Sequence, residues 1–83
     1  NLTMNVGKRS RYRIRLIHRN VPGVMARVNQ IFAASEANVD AQILATVDEV
    51  GYVLTDISAG LGREALEELT HLPETVRLIA TPL

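Results

Sequence analysis

The sequence predicts an α+β domain of element order βαββαβ, in which a four-stranded antiparallel sheet carries both helices on one face. Three observations predict it. Apolar residues alternate with period two in separate stretches, which is the signature of half-buried strands. Two other stretches repeat at three and four residues, the signature of amphipathic helices. The chain has 83 residues, enough for one domain and too few for a doubly wound nucleotide-binding fold, a barrel or a kinase.

The elements follow in order. Residues 1–10 lack a strong period and read as a linker or edge segment, with the domain proper at 11–83. From Arg11, Tyr12, Ile14 and Leu16 fall on one face, and Arg11, Arg13 and Arg15 on the other. This strand ends by Asn20, because Val21-Pro22-Gly23 cannot continue a ladder. Pro22 suits the first turn of a helix, where its missing N–H is not needed. Val24, Val28, Ile31, Phe32 and Ser35 then form one helical stripe. Asn38 tolerates positive φ and is expected to make the turn that follows.

Alternation resumes over 39–47, with Val39, Ala41, Ile43, Ala45 and Val47 opposite Asp40, Gln42, Leu44 and Thr46. Asp48-Glu49-Val50-Gly51 reads as a hairpin loop and Tyr52–Ala59 as the third strand. Gly60-Leu61-Gly62 breaks that strand. Leu61, Ala65, Leu69 and Leu72 mark a second helix, with Glu64, Glu67 and Glu68 toward water and Pro73 at its close. Thr75–Ala80 is the last strand. Two right-handed split units near 11–47 and 52–81 give the expected strand order 4-1-3-2. Leu44 and other apolar side chains are then expected on the uncovered face or at an edge, which points to pairing with another copy.

Composition excludes several function classes. Apolar residues make up 47% and charged residues 22%, which is globular and not disordered. There is no Cys, so thiolate chemistry and Cys-based zinc sites are excluded. No apolar run approaches a membrane span and no signal peptide is visible, so the expected setting is cytoplasmic, without membrane partners. The chain begins with Asn1 and not Met, so a fragment of a longer polypeptide is expected. Nine basic and nine acidic residues cancel overall but are segregated. Residues 1–27 hold seven basic side chains and no acid, whereas 28–83 hold two basic residues and all nine acids. Zero net charge and 4% aromatics disfavour nucleic acid. The Arg11, Arg13 and Arg15 face is expected to meet an acidic surface.

No catalytic residue is assigned, because no nucleophile motif accompanies His18 or His71. His71 falls near the end of the second helix, where it caps carbonyls or is solvated. The two histidines lack a third ligand, so no metal site is expected. Gly60-x-Gly62-x-x-Ala65 matches a dinucleotide fingerprint in form, but the following strand ends in Thr81-Pro82-Leu83 without the required acid. An RNA-binding reading of the topology needs aromatics on the central strands, and only Tyr12 and Tyr52 are present.

The richest constellation is His18-x-Asn20-x-Pro22-Gly23-Val24, at the first strand-to-helix junction. Gly23 lets the backbone approach a ligand, and the N–H groups of the helix start favour a carboxylate. His18 can donate to that carboxylate, and Asn20 offers a donor and an acceptor. The plainer alternatives are a helix N-cap for Asn20 and a strand-end histidine for His18. Asn38 lies at the far end of the same helix, ~20 Å from Gly23 at ~1.5 Å per residue, too far to share a pocket within one chain. Across a two-fold interface it could.

At this loop the sequence resembles the ACT domains, small-ligand regulatory modules, and among them the serine-sensing C-terminal domains of bacterial D-3-phosphoglycerate dehydrogenases. The resemblance rests on Ile17 to Val24, Asn29 to Ala33, Ala37-Asn38-Val39, Ala41-Gln42 and Gly51-Tyr52-Val53, and runs from about Arg11 to Ala80. It implies a ferredoxin-like fold with no catalytic activity or cofactor of its own, attached to an NAD-dependent parent catalytic domain. It implies that His18, Asn20, Pro22, Gly23 and Val24 hold L-serine or another small amino acid, completed by Asn38 of the partner subunit. It further implies a homodimer formed through sheet edges. The alternatives are a dimerisation module whose loop stays empty and a small RNA-binding domain.

Overall fold

The computed structural model describes residues 11–58 and 61–83. It has strands β1 (Arg11–Arg19), β2 (Asn38–Val47), β3 (Val50–Ser58) and β4 (Thr75–Pro82), and helices α1 (Val24–Ala34) and α2 (Arg63–Thr70). The strands form one antiparallel sheet in the order β2-β3-β1-β4, which is the predicted order. The proposed linker at 1–10, Ala59 of the predicted third strand and Gly60 of the glycine motif lie outside the described residues.

The helices cover the face bearing Ile14, Leu16, Val53 and Ile57 and supply Val24, Val28, Phe32, Ala65, Leu66 and Leu69 to the same core, which Leu61, just before α2, also joins. Val24, Val28 and Phe32 recur every four residues, so one stripe of α1 is buried. His71 ends α2: its N–H and ring Nδ1 both bond the Glu67 carbonyl, and the second of these lies at 2.8 Å. Thr75 Oγ1 donates to the Leu69 carbonyl at 2.6 Å and ties β4 to the same helix end.

Four boundaries differ from the sequence reading. Helix α1 starts at Val24, after Pro22, because Gly23 takes φ 87° and serves as a left-handed N-cap. The turn after α1 is made by Glu36 at φ 63°, while Asn38 already opens β2. The hairpin is confined to Asp48 and Glu49, with Asp48 at φ 54°, so β3 begins at Val50 and not at Tyr52. Strand β4 continues to Pro82, which an edge strand tolerates because that N–H side needs no partner.

A bulge in β2 between Val39 and Ala41 resets its alternation. Leu44 therefore lies opposite the buried Val53, on the helix side of the sheet, not on its open face. It stays 48% exposed because β2 is an edge strand that the helices do not reach across. Ile43, Ala45 and Val47 are on the open face, beside Tyr52 and Leu54 of β3. Across that face Arg13 makes a two-pronged bond to Asp56, at 2.7 and 2.9 Å. The basic run of β1 thus has an acid of β3 directly opposite its middle member.

Candidate functional site at the first strand-to-helix junction

Strand β1 delivers His18 to the helix side of the sheet, between Gly51 of β3 and Thr75 of β4. Its side chain is buried, with 1% of the residue exposed. Ring atom Nδ1 lies 2.9 Å from the Arg19 carbonyl oxygen. Ring atom Nε2 is buried and has no hydrogen-bond partner among the described residues. Buried polar atoms are nearly always paired, so this bare atom near the end of β1 marks an unusual spot in the core. The neighbour that admits the ring is Gly51. A Cβ there would lie 2.2 Å from His18 Cε1 and 2.6 Å from Nε2.

Asn20 follows in the exposed loop. Its N–H donates to the Glu49 carbonyl at 2.8 Å, and its Nδ2 donates to the Asp48 carbonyl at 3.3 Å. These bonds pin the loop to the β2–β3 hairpin and correct the N-cap reading, since Gly23 is the cap and makes no side-chain bond. A cavity of about 370 Å³ opens here, lined by Arg19, Asn20, Val21, Glu49 and Val50. The first turn of α1 carries no acidic residue, so its N–H end is free to favour an anion. Arg27 approaches the same turn but forms an ion pair with Glu74. That hydrogen bond holds the Glu74 carboxyl below its usual range. A second cleft of about 430 Å³ between α1 and α2 is lined by Glu64 and Glu68, which disfavours a carboxylate ligand there.

His18, Asn20, Pro22, Gly23 and Val24 share one junction by their place in the chain, but of them only Asn20 lines the cavity there, and His18 is buried outside its lining. Asn38 is elsewhere. It opens β2, ~30 Å from Val47 at ~3.4 Å per residue, and bonds Asp40 at 2.7 Å and Ser58 at 3.3 Å. Sequence reasoning missed Gly51, placing it in the hairpin loop. A two-residue turn at Asp48-Glu49 would have put Gly51 inside β3, but its place opposite His18 comes only from the β1–β3 pairing. Tyr12 packs on the helix side, against the core, so Tyr52 stands without it on the open face. That face lacks the paired aromatic platform an RNA-binding sheet uses. Among the described residues no group of three His, Asp or Glu side chains could hold a metal, and no helix is long and apolar enough to cross a membrane.

A family model described as AHAS small subunit-like ACT domain matches residues 14–77. D-3-phosphoglycerate dehydrogenase of Escherichia coli K12 is 40% identical over 67 residues, covering 78% of this chain and 16% of that enzyme. The enzyme of the same name from Dictyostelium discoideum is 37% identical over 68 residues, covering 82% and 16%. The chain therefore spans about one sixth of the length of these relatives. Among solved structures, the ACT domain from GTP pyrophosphokinase of Chlorobium tepidum superposes with TM-score 0.74 at 12% identity, covering 89% of this chain and all of that one. The regulatory subunit of aspartate kinase from Thermus thermophilus superposes with TM-score 0.69 at 26% identity, covering 89% and 52%.

Proposed function

Because the chain belongs to the ACT-domain family, we propose that it is the amino-acid-sensing regulatory module of a D-3-phosphoglycerate dehydrogenase, with L-serine as its ligand. The observation that carries this reading is the buried, unpartnered Nε2 of His18 at the junction that also holds Asn20 and the start of α1, whose Gly23 cap has no side chain. A carboxylate suits the helix start, and Asn20 and His18 supply directional bonds to the rest of a small amino acid. The chain has no catalytic role in this reading. The NAD of the parent is held by its catalytic domain, and the setting is cytoplasmic.

Pairing along β2 supplies the remaining contact. When two copies align β2 antiparallel about a two-fold axis, the start of one strand meets the end of the other. That brings Asn38 of the partner subunit to Val47 and Asp48, and Asn20 is already bonded to Asp48. A ligand at this seam binds the paired state better than the unpaired one. It then strengthens pairing by the same factor that pairing strengthens its own binding, a coupling of about 1–3 kcal/mol. The parent enzyme reads that shift as inhibition by the pathway's end product.

One observation favours a ligand-free pairing module instead: the Asn38 amide is already engaged by Asp40 and Ser58. Titration calorimetry separates the two. Micromolar L-serine binding that is lost in His18→Ala and Asn20→Ala, with circular dichroism unchanged, supports the sensor. A stable dimer that gives no heat with any amino acid supports the pairing module.

A further inference from the structure

We propose that the open face of the sheet docks an acidic amphipathic helix of a partner protein, laid along the boundary between β3 and β1. The proposal concerns surface that the ligand reading leaves unused and does not depend on that reading.

The face has two lanes. Strand pairing puts Ile43 and Val47 of β2 beside Leu54, Tyr52 and Val50 of β3 on the side away from the helices. Ile43, Val47 and Val50 are exposed there, and Tyr52 and Leu54 are half-buried. An antiparallel sheet that meets only water carries polar side chains on that face, so a contiguous apolar lane marks a contact surface. The second lane is basic. Arg11, Arg13, Arg15 and Arg19 of β1 alternate onto the same face, and Arg77 of β4 pairs with Ile17 on it. Asp56, the acid that faces them from β3, is taken by both prongs of Arg13. Among the described residues Arg11, Arg15, Arg19 and Arg77 form no ion pair, and the side-chain bond of Arg15 runs to Thr81 Oγ1 at 3.4 Å. The exposed acids of α2, Glu64, Glu67 and Glu68, belong to the helix layer on the other side of the sheet. The lane therefore attracts carboxylates from outside the domain.

Spacing selects the occupant. Strands lie ~4.8 Å apart, so the middle of the β2–β3 lane is ~10 Å from the middle of the β1–β4 lane. An α-helix is ~10–12 Å across. One helix along the β3–β1 boundary sets one flank over each lane. Its apolar flank covers Ile43, Tyr52 and Leu54, and carboxylates on its other flank meet Arg15 and Arg77. Other occupants leave a lane unmatched. Single-stranded RNA satisfies the arginines but finds one aromatic, Tyr52, to stack on, and leaves the apolar lane uncovered. A second copy laid face to face brings no free acid, so its arginines would be buried against arginines or apolar side chains.

The test is an NMR titration of the 83-residue protein with a stapled helical peptide of about 15 residues, Leu along one flank and Glu along the next. The control peptide has Lys in place of every Glu. The Glu peptide is expected to shift the amides of Arg15, Ile43, Tyr52, Leu54 and Arg77 and to leave α1 and α2 unmoved. Its affinity is expected to fall about tenfold between about 0.05 and 0.5 M salt. Arg15→Glu combined with Arg77→Glu is expected to weaken it at least about tenfold, while Arg15→Lys combined with Arg77→Lys retains most of it. If the charge-reversed variant does not fold, Arg77→Ala at the exposed position and the salt series decide. No binding of the Glu peptide at millimolar concentration, equal binding of the Lys peptide, shifts confined to the helices, or unchanged affinity in the folded charge-reversed variant would each overturn the proposal. So would tighter binding of an oligouridine RNA to the same face, or a wild-type dimer whose protection from exchange covers that face.

Discussion

If two copies pair along β2 as proposed, replacing Ile43 by Asp should separate them without unfolding the protomer. Strand β2 is an edge strand ten residues long, with Asp40 as its single charge and no Pro or Lys to discourage pairing. Its apolar side chains Val39, Ile43, Leu44 and Val47 are between 42% and 71% exposed. The opposite edge, β4, carries Arg77 and Pro82. Ile43 sits at the middle of β2, near any two-fold axis that pairs two copies of it, and is 63% exposed. Burying a whole Ile side chain contributes about 1.5–3 kcal/mol, so covering that exposed share contributes about 1–2 kcal/mol per protomer and about 2–4 kcal/mol per dimer. Removing it weakens dimerisation roughly 30- to 1000-fold, before repulsion between the two new carboxylates is added. Sedimentation equilibrium over a concentration series measures this, with circular dichroism as the control on folding. Ile43→Asp that dimerises as tightly as the wild type would refute pairing through β2, and the shared pocket with it.

Other consequences follow from the same packing. Leu69 is fully buried, so Leu69→Ala should cost about 3–5 kcal/mol and lower the thermal midpoint by more than about 10 °C in a scan. Gly23→Ala places a Cβ at φ 87°, and should cost about 1–2 kcal/mol in urea unfolding while weakening serine binding by displacing the start of α1. The hydrogen bond from Arg13 holds the Asp56 carboxyl below its usual range. Its contribution is therefore present above the unfolded carboxylate value of about 3.9 and lost as pH falls toward the lower folded value. Asp56→Asn should flatten the acid limb of urea midpoints measured from pH 2 to 6, and an unchanged limb would remove the pair from the account.

Much of the architecture was legible because periodicity is local. The alternation of Tyr12, Ile14 and Leu16 and the four-residue spacing of Val24, Val28 and Phe32 each specify an element without outside help. Handedness then gave the strand order. What stayed hidden depends on pairing partners. The extra residue in β2 is visible only against β3, and it moves Leu44 to the other face. The acid facing Arg13 lies 43 residues away along the chain. At the site, His18 and Asn20 stood out because a histidine and an amide flank a Pro-Gly helix start. Gly51 did not, since its importance arises only when β3 sets it against the imidazole. Asn20 was open to a capping role until Gly23 took the cap and the Asp48 carbonyl took the amide.

A mixing experiment tests the shared pocket most directly. His18→Ala and Asn38→Ala are each made as full dimers, shown to be folded, and titrated with L-serine alone and after mixing and exchange. In the two-fold arrangement each parent variant has no complete pocket, but a mixed dimer joins the intact His18 of one chain to the intact Asn38 of the other. Serine binding should be absent or much weakened in either variant and reappear on mixing, at about one site per mixed dimer. Binding that stays lost in the mixture, or an Asn38→Ala dimer that binds serine as well as the wild type, would contradict the account.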